Sequence, residues 1–122
     1  MKIISSKFHG ILDYIVVIFL LASPTIFKME GILCNFTYAL GAIHFLLTIF
    51  TAFEPGLIRI IPFPIHGMIE FFVAVALTMV SFWFNRNCDT LGFYYYLYLA
   101  IAIMLVFILT DFKEKKNDLI SG

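Results

Sequence analysis

Glu54-Pro55-Gly56-Leu57-Ile58-Arg59-Ile60-Ile61-Pro62-Phe63-Pro64-Ile65-His66-Gly67 is the stretch on which the reading of this chain turns. Prolines at 55, 62 and 64 and a glycine at 56 deny it a continuous helix, because proline lacks an amide donor and disfavours helical geometry in the residue before it. A long apolar segment pair lies on either side, and the two halves read as copies of one another. The stretch is therefore a hinge between repeats, over about residues 55–64.

The apolar segments are too many for a water-soluble interior. Of 122 residues, 62% are hydrophobic and 13% charged, with a mean hydropathy of +1.01. Soluble domains hold about 45–50% apolar and about 25% charged residues, and small ones bury only about 60–70% of their extended surface. Lipid is the expected solvent. Net charge is zero, and no basic run coincides with stacking aromatics, which argues against a nucleic-acid partner.

Working outward, the spans are expected at about Phe8 to Phe27, Phe36 to Phe53, Phe63 to Phe84 and Leu91 to Asp111. Some twenty residues at 1.5 Å each cover about 30 Å, the thickness of the hydrocarbon layer. A cleaved signal peptide is the rival reading of the first segment, with its basic start and small residues at Ala22 and Ser23. It is disfavoured because the segment exceeds the usual apolar core of about 7–15 residues and has a partner later in the chain. The expected fold is all-α: a four-helix transmembrane bundle made of two helical hairpins repeated in parallel. Repeat 1 spans about 8–54, repeat 2 about 65–113, and a charged tail follows over 114–122. Lys2, Lys7, Arg59, Lys113, Lys115 and Lys116 fall on one side and only Lys28 and Arg86 on the other. By the positive-inside rule both termini and the hinge face the cytoplasm. Tyr94, Tyr95, Tyr96, Tyr98 and Trp83 then gather near the outer interface, where amphipathic rings prefer to sit.

The repeat is carried by residues that bear chemistry. Span one opens Phe8-His9-Gly10-Ile11-Leu12-Asp13-Tyr14 and span three Ile65-His66-Gly67-Met68-Ile69-Glu70-Phe71. Each has His-Gly and then an acid four residues after the histidine. Spans two and four close on matching Thr-x-Phe triplets, Thr51-Ala52-Phe53 and Thr110-Asp111-Phe112. Two spans separate the copies, so they share one orientation, unlike the inverted repeats of many transporters.

Ser23-Pro24, His9-Gly10-x-x-Asp13-Tyr14 and Glu54-x-Gly56-Leu57-Ile58-Arg59-x-Ile61-Pro62-x-Pro64-x-His66 together resemble the SPW-repeat family of prokaryotic integral membrane proteins. The likeness covers most of residues 5–113. It implies two tandem two-helix units with Ser-Pro-Trp near the end of each first helix, a bacterial plasma (inner) membrane location, and no firmly established activity. The chain departs from that pattern at Ser23-Pro24-Thr25, which lacks the tryptophan, and at Ser81-Phe82-Trp83, which lacks the proline. Those departures favour a role for Ser23 and Pro24 in shaping the helix, with proline kinking it and the serine hydroxyl re-satisfying local backbone.

His9 with Asp13 and His66 with Glu70 are the leading candidate site residues, since a spacing of four puts both side chains on one helix face. Each acid can simply neutralise its histidine and brace a helix end. If the hairpins pack about a pseudo-twofold axis, the four can instead converge near the cytoplasmic face, to relay protons or to bind a divalent metal. His44 interrupts the repeat, its counterpart being Ile103. Near the middle of its span, it reads as a neutral imidazole hydrogen-bonded across helices more readily than as a haem or metal ligand. Cys34 and Cys88 stand in or beside the outer loops at corresponding places, where a disulfide between them or two free thiols are both open. Asn35-Phe36-Thr37 fits the glycosylation triplet but abuts a span. Leu57 to Ile61 is expected on the cytoplasmic interface with Arg59 near lipid phosphates.

No phosphate loop, zinc-hydrolase helix motif or nucleophile elbow is present in the sequence, and no cofactor is expected. The first functional expectation is a non-enzymatic structural or interaction module, partnered by the lipid bilayer and by a second copy or another membrane protein. The alternative is a proton or cation conduit or carrier built on His9, Asp13, His66 and Glu70.

Overall fold

A computed structural model of the chain describes residues 2–52 and 56–112. Four helices carry it: α1 (Ser6–Ile26), α2 (Gly31–Ile49), α3 (Phe63–Arg86) and α4 (Thr90–Leu109). Each is long and apolar enough to cross a bilayer, and α1·α2 and α3·α4 each pack as a hairpin. The chain is an all-α integral membrane protein. Of two short strands, β1 (Thr51–Ala52) lies just before the expected hinge and β2 (Ile61–Pro62) within it. Two compact units result, one of Ser6–Phe63 and the other of residues up to Ser5 with those from Pro64 onward.

In the first unit, the buried face of α1 steps through His9, Asp13, Val17, Leu20 and Pro24, intervals of three and four that make one stripe of a helix. Leu33, Thr37, Gly41 and Thr48 are buried on α2. Gly41 sets how closely α2 approaches α1: a Cβ there would lie 2.8 Å from Leu21 Cδ2 and 3.2 Å from Leu20 Cβ. Small residues at such crossings are the usual means of association in lipid, where packing contacts replace the hydrophobic effect. Ile11, Ile15, Ile18, Ile32, Ile43 and Leu46 stay exposed, as acyl chains require.

The second unit repeats the pattern. On α3 the buried residues include His66, Glu70, Ala74, Leu77, Ser81 and Phe84, and their spacing follows that of His9, Asp13, Val17 and Leu20 position by position. On α4 they are Gly92, Tyr95, Tyr96, Leu99 and Ala100. Here Gly92 makes the close approach, a Cβ falling 2.7 Å from Phe84 Cγ. The Phe84 ring stacks on Tyr96 at 5.9 Å and 14°. Tyr95 and Tyr96 are thus core residues, and of the aromatic cluster expected at the interface only Tyr94, Tyr98 and Trp83 are exposed.

Both hairpins turn by the same device. After α1, Met29 N–H donates to Pro24 O at 2.9 Å and Lys28 N–H to Thr25 O at 3.4 Å. After α3, Asp89 N–H donates to Phe84 O at 2.9 Å and Cys88 N–H to Asn85 O at 3.2 Å. These paired bonds are Schellman closures, and each puts a non-glycine residue in the left-handed region, Lys28 at φ 53° and Cys88 at φ 61°. Helix α4 then starts on a good cap, the Asp89 carboxylate accepting Gly92 N–H at 2.8 Å, whereas Glu30 before α2 makes no side-chain cap bond.

The second span was expected at Phe36 to Phe53, yet α2 begins at Gly31 and ends at Ile49. The start moves because the Schellman turn spends only Phe27 to Glu30 on the loop, so Cys34 and Asn35 are helical. Thr37 is buried with its hydroxyl on Leu33 O at 2.7 Å, which removes the glycosylation reading. The end moves because the hinge segment folds back onto it. Leu57 and Ile58 N–H donate to Ile49 O at 3.1 and 2.8 Å, and Ile60 and Ile61 N–H donate to Phe50 O at 3.1 and 2.8 Å. Carbonyls that a helix C-terminus leaves open are thereby filled, and β1 pairs in parallel with β2, Thr51 opposite Ile61.

The second unit closes in the same way with the N-terminal lead. Ile3 and Ile4 N–H both donate to Leu109 O at 2.9 Å, Asp111 N–H donates to Ile4 O at 3.0 Å, and Ile4 bridges Thr110 in parallel. Lys2 Nζ adds a bond to Ile108 O at 3.1 Å.

Candidate functional site

His9 is the fourth residue of α1 and Asp13 lies one turn on, so both point from the same stripe. His9 Nε2 is 3.4 Å from Asp13 Oδ2, with the histidine wholly buried and the aspartate side chain 5% exposed. Phe63 presents its ring edge-on to the His9 imidazole at 5.2 Å and 79°, an apolar wall beside a titratable group. His66 and Glu70 repeat the arrangement on α3, with Nε2 3.1 Å from Oε1 and both side chains buried. That contact is a hydrogen bond in length.

Such pairs are costly residents of a membrane segment. A charge at the helix centre costs at least about 2.5–3.5 kcal/mol, so intramembrane acids and histidines pair with one another or mark a pathway. A pair of carboxylate and imidazolium is neutral overall; loss of the imidazolium proton leaves one net charge. Each pair can therefore change its charge by one proton without either group leaving its helix.

The structure adds a third member in the first hairpin. His44 Nε2, on α2, lies 3.8 Å from Asp13 Oδ1. The imidazole faces Asp13 across the two helices from beyond hydrogen-bonding distance, and its position differs from the mid-span depth expected. His44 is the sixth residue from the end of α2 and Asp13 the eighth of α1, about 8 and 10 Å from the same edge of the hairpin at 1.5 Å per residue. Because α2 ends at Ile49 and not Phe53, the histidine is nearer the helix end and level with the acid. A one-sided count of sequence register placed His44 against Ile103 but could not say which group on α1 it would meet.

The remaining candidates have local roles. Ser23 Oγ donates to Phe19 O at 2.6 Å, and Ser81 Oγ to Thr78 O at 2.6 Å; both serines are fully buried. Pro24 lies in the last turn of α1, and its own carbonyl receives the Schellman bond from Met29 that closes the turn. Cys34 is half-buried in the first turn of α2 and Cys88 exposed in the turn after α3, both as free thiols. Arg59 and its neighbours Leu57, Ile58 and Ile60 are exposed.

One motif was legible and overlooked: Lys2-Ile3-Ile4 precedes His9-Gly10 at the spacing with which Arg59-Ile60-Ile61 precedes His66-Gly67. The matching letters therefore extend back to the basic residue, into the expected hinge. No family model, no curated protein and no solved structure matches the chain.

Proposed function

We propose that this protein is a small proton or cation conduit of the membrane, working through the His9–Asp13 and His66–Glu70 pairs. The observation that carries the reading is that both repeats bury the same imidazole–carboxylate pair at the same place in an apolar span. A brace alone does not call for this chemistry, because well-packed apolar side chains hold helices as well as a buried ion pair or better. Imidazole and carboxylate, the groups of each pair, also suit divalent cations, so the conduit reading covers metal cations as well as protons.

The location that goes with it is a bacterial plasma membrane with both termini in the cytoplasm. Support comes from Lys2, Lys7 and Arg59 at one end of the spans against Lys28 and Arg86 at the other. The SPW-repeat likeness is compatible with the same placement, since its two-helix unit corresponds to one hairpin.

Purified protein in liposomes carrying an imposed pH gradient tests the reading. Wild type should dissipate the gradient faster than empty vesicles, and the double variant D13N/E70Q should return to the empty-vesicle rate. Wild type indistinguishable from empty vesicles, for protons and for zinc or manganese alike, refutes the conduit and leaves the pairs as helix braces of an interaction module.

A further inference from the structure

Resting on the conduit reading, we infer that the first hairpin contains a three-group proton relay, His44–Asp13–His9, and that His44 makes the two repeats unequal in function. The two oxygens of the Asp13 carboxylate face different imidazoles. Oδ2 is 3.4 Å from His9 Nε2 on the same helix, and Oδ1 is 3.8 Å from His44 Nε2 on the neighbouring helix. An acid between two bases is the arrangement that passes a proton onward, since it can accept at one oxygen and deliver from the other.

The step balances without any further reactant. The N–H bond of the His44 imidazolium breaks as Asp13 Oδ1 takes the proton; a half-turn about Cβ–Cγ presents the same proton to His9 Nε2, which accepts it and restores the carboxylate. Both separations exceed hydrogen-bonding range by less than about 1 Å, and the terminal torsions of Asp and His are broad enough to close that gap without backbone movement.

Burial orders the three groups. The His44 side chain is 13% exposed, that of Asp13 5%, and His9 is fully buried, so burial deepens from His44 to His9. In the second hairpin the matching position is Ile103, which carries no exchangeable proton. Glu70 and His66 are within hydrogen-bonding distance there, at 3.1 Å, suited to holding a proton, whereas the looser first-hairpin contacts suit handing one on.

The test is proton flux in proteoliposomes for wild type, H44I and H44Q, each checked for helical content and a single detergent-solubilised species. H44I copies the second repeat; H44Q keeps a polar side chain able to bond Asp13 but cannot titrate. The relay predicts that both variants lose at least tenfold in flux while remaining folded. If H44Q keeps half or more of the wild-type flux, His44 only packs against Asp13 and the relay is overturned, with the conduit intact. If wild type itself shows no proton flux the relay is overturned, and the conduit falls with it when zinc and manganese flux are absent as well. Should H44I misfold, H44Q alone decides.

Discussion

Ile4 lies parallel to Thr110, in the register in which Ile61 lies parallel to Thr51. In each case two consecutive isoleucine amides donate to a single carbonyl at the end of a helix, Leu109 O for Ile3 and Ile4 and Phe50 O for Ile60 and Ile61. The segment that leads into α1 thus belongs to the unit holding α3 and α4, and the segment that leads into α3 belongs to the unit holding α1 and α2. Each hairpin is finished by the lead of the other.

Replacing Ile4 by proline tests that closure. The substitution removes one of the two donors to Leu109 O, and a hydrogen bond of this kind is worth about 0.5–1.5 kcal/mol net. Ile4 is also buried, so altered packing adds to the loss. A fall of roughly 1–3 kcal/mol in thermal or denaturant stability of the detergent-solubilised protein is expected. An unchanged midpoint would mean the Ile4 amide and side chain contribute nothing to the second unit.

Lys2 sharpens the same point electrostatically. Its ammonium sits on Ile108 O at 3.1 Å, at the negative end of the α4 dipole. Lys2→Glu puts a carboxylate there and should cost about 0.3–1 kcal/mol at low ionic strength. Because the contact is exposed, the difference from wild type should shrink in molar salt, where the screening length falls to about 3 Å. A difference that persists in high salt would point to lost packing of the lysine stem.

The turns offer a stabilising change. Cys88 occupies a left-handed conformation, φ 61°, in the turn two residues beyond α3, where a side chain costs about 1–2 kcal/mol relative to glycine. Cys88→Gly should raise stability by about 1 kcal/mol, less the greater freedom glycine gains when unfolded. The thiol is exposed, so little packing is lost. Lys28→Gly, at φ 53°, should act in the same direction. A fall in melting temperature for both would show that the side chains hold these turns.

How far the sequence foretold this depends on the range of each signal. The four spans were legible because apolar length is a local property, and the His–acid pairs because a spacing of four fixes a shared helix face. The boundaries of α2 were not, since both are set by hydrogen bonds from outside the helix: the Schellman bond at Met29 and the amides of Leu57 to Ile61. The approach of His44 to Asp13 likewise depends on how α2 slides along α1, which Gly41 governs through its contact with Leu20 and Leu21. The basic-Ile-Ile lead was present in the letters at Lys2 and Arg59. Three prolines nearby drew the reading toward a hinge instead.

The His66–Glu70 pair separates stability from function most cleanly. Removing one partner leaves the other's charge less compensated: His66→Phe takes the 3.1 Å partner from the buried Glu70, which should cost up to about 3–5 kcal/mol. Replacing both, as in H66F/E70L, removes the desolvation penalty together with the pair, and should restore stability to within about 1 kcal/mol of wild type or above it. The double-mutant cycle is then strongly non-additive, as expected for groups 3.1 Å apart. If the pair served only to brace α3, H66F/E70L would be stable and indistinguishable from wild type in every assay. Under the conduit reading it is stable and fails to dissipate a pH gradient. Stability and flux measured on the same preparation therefore distinguish the two roles.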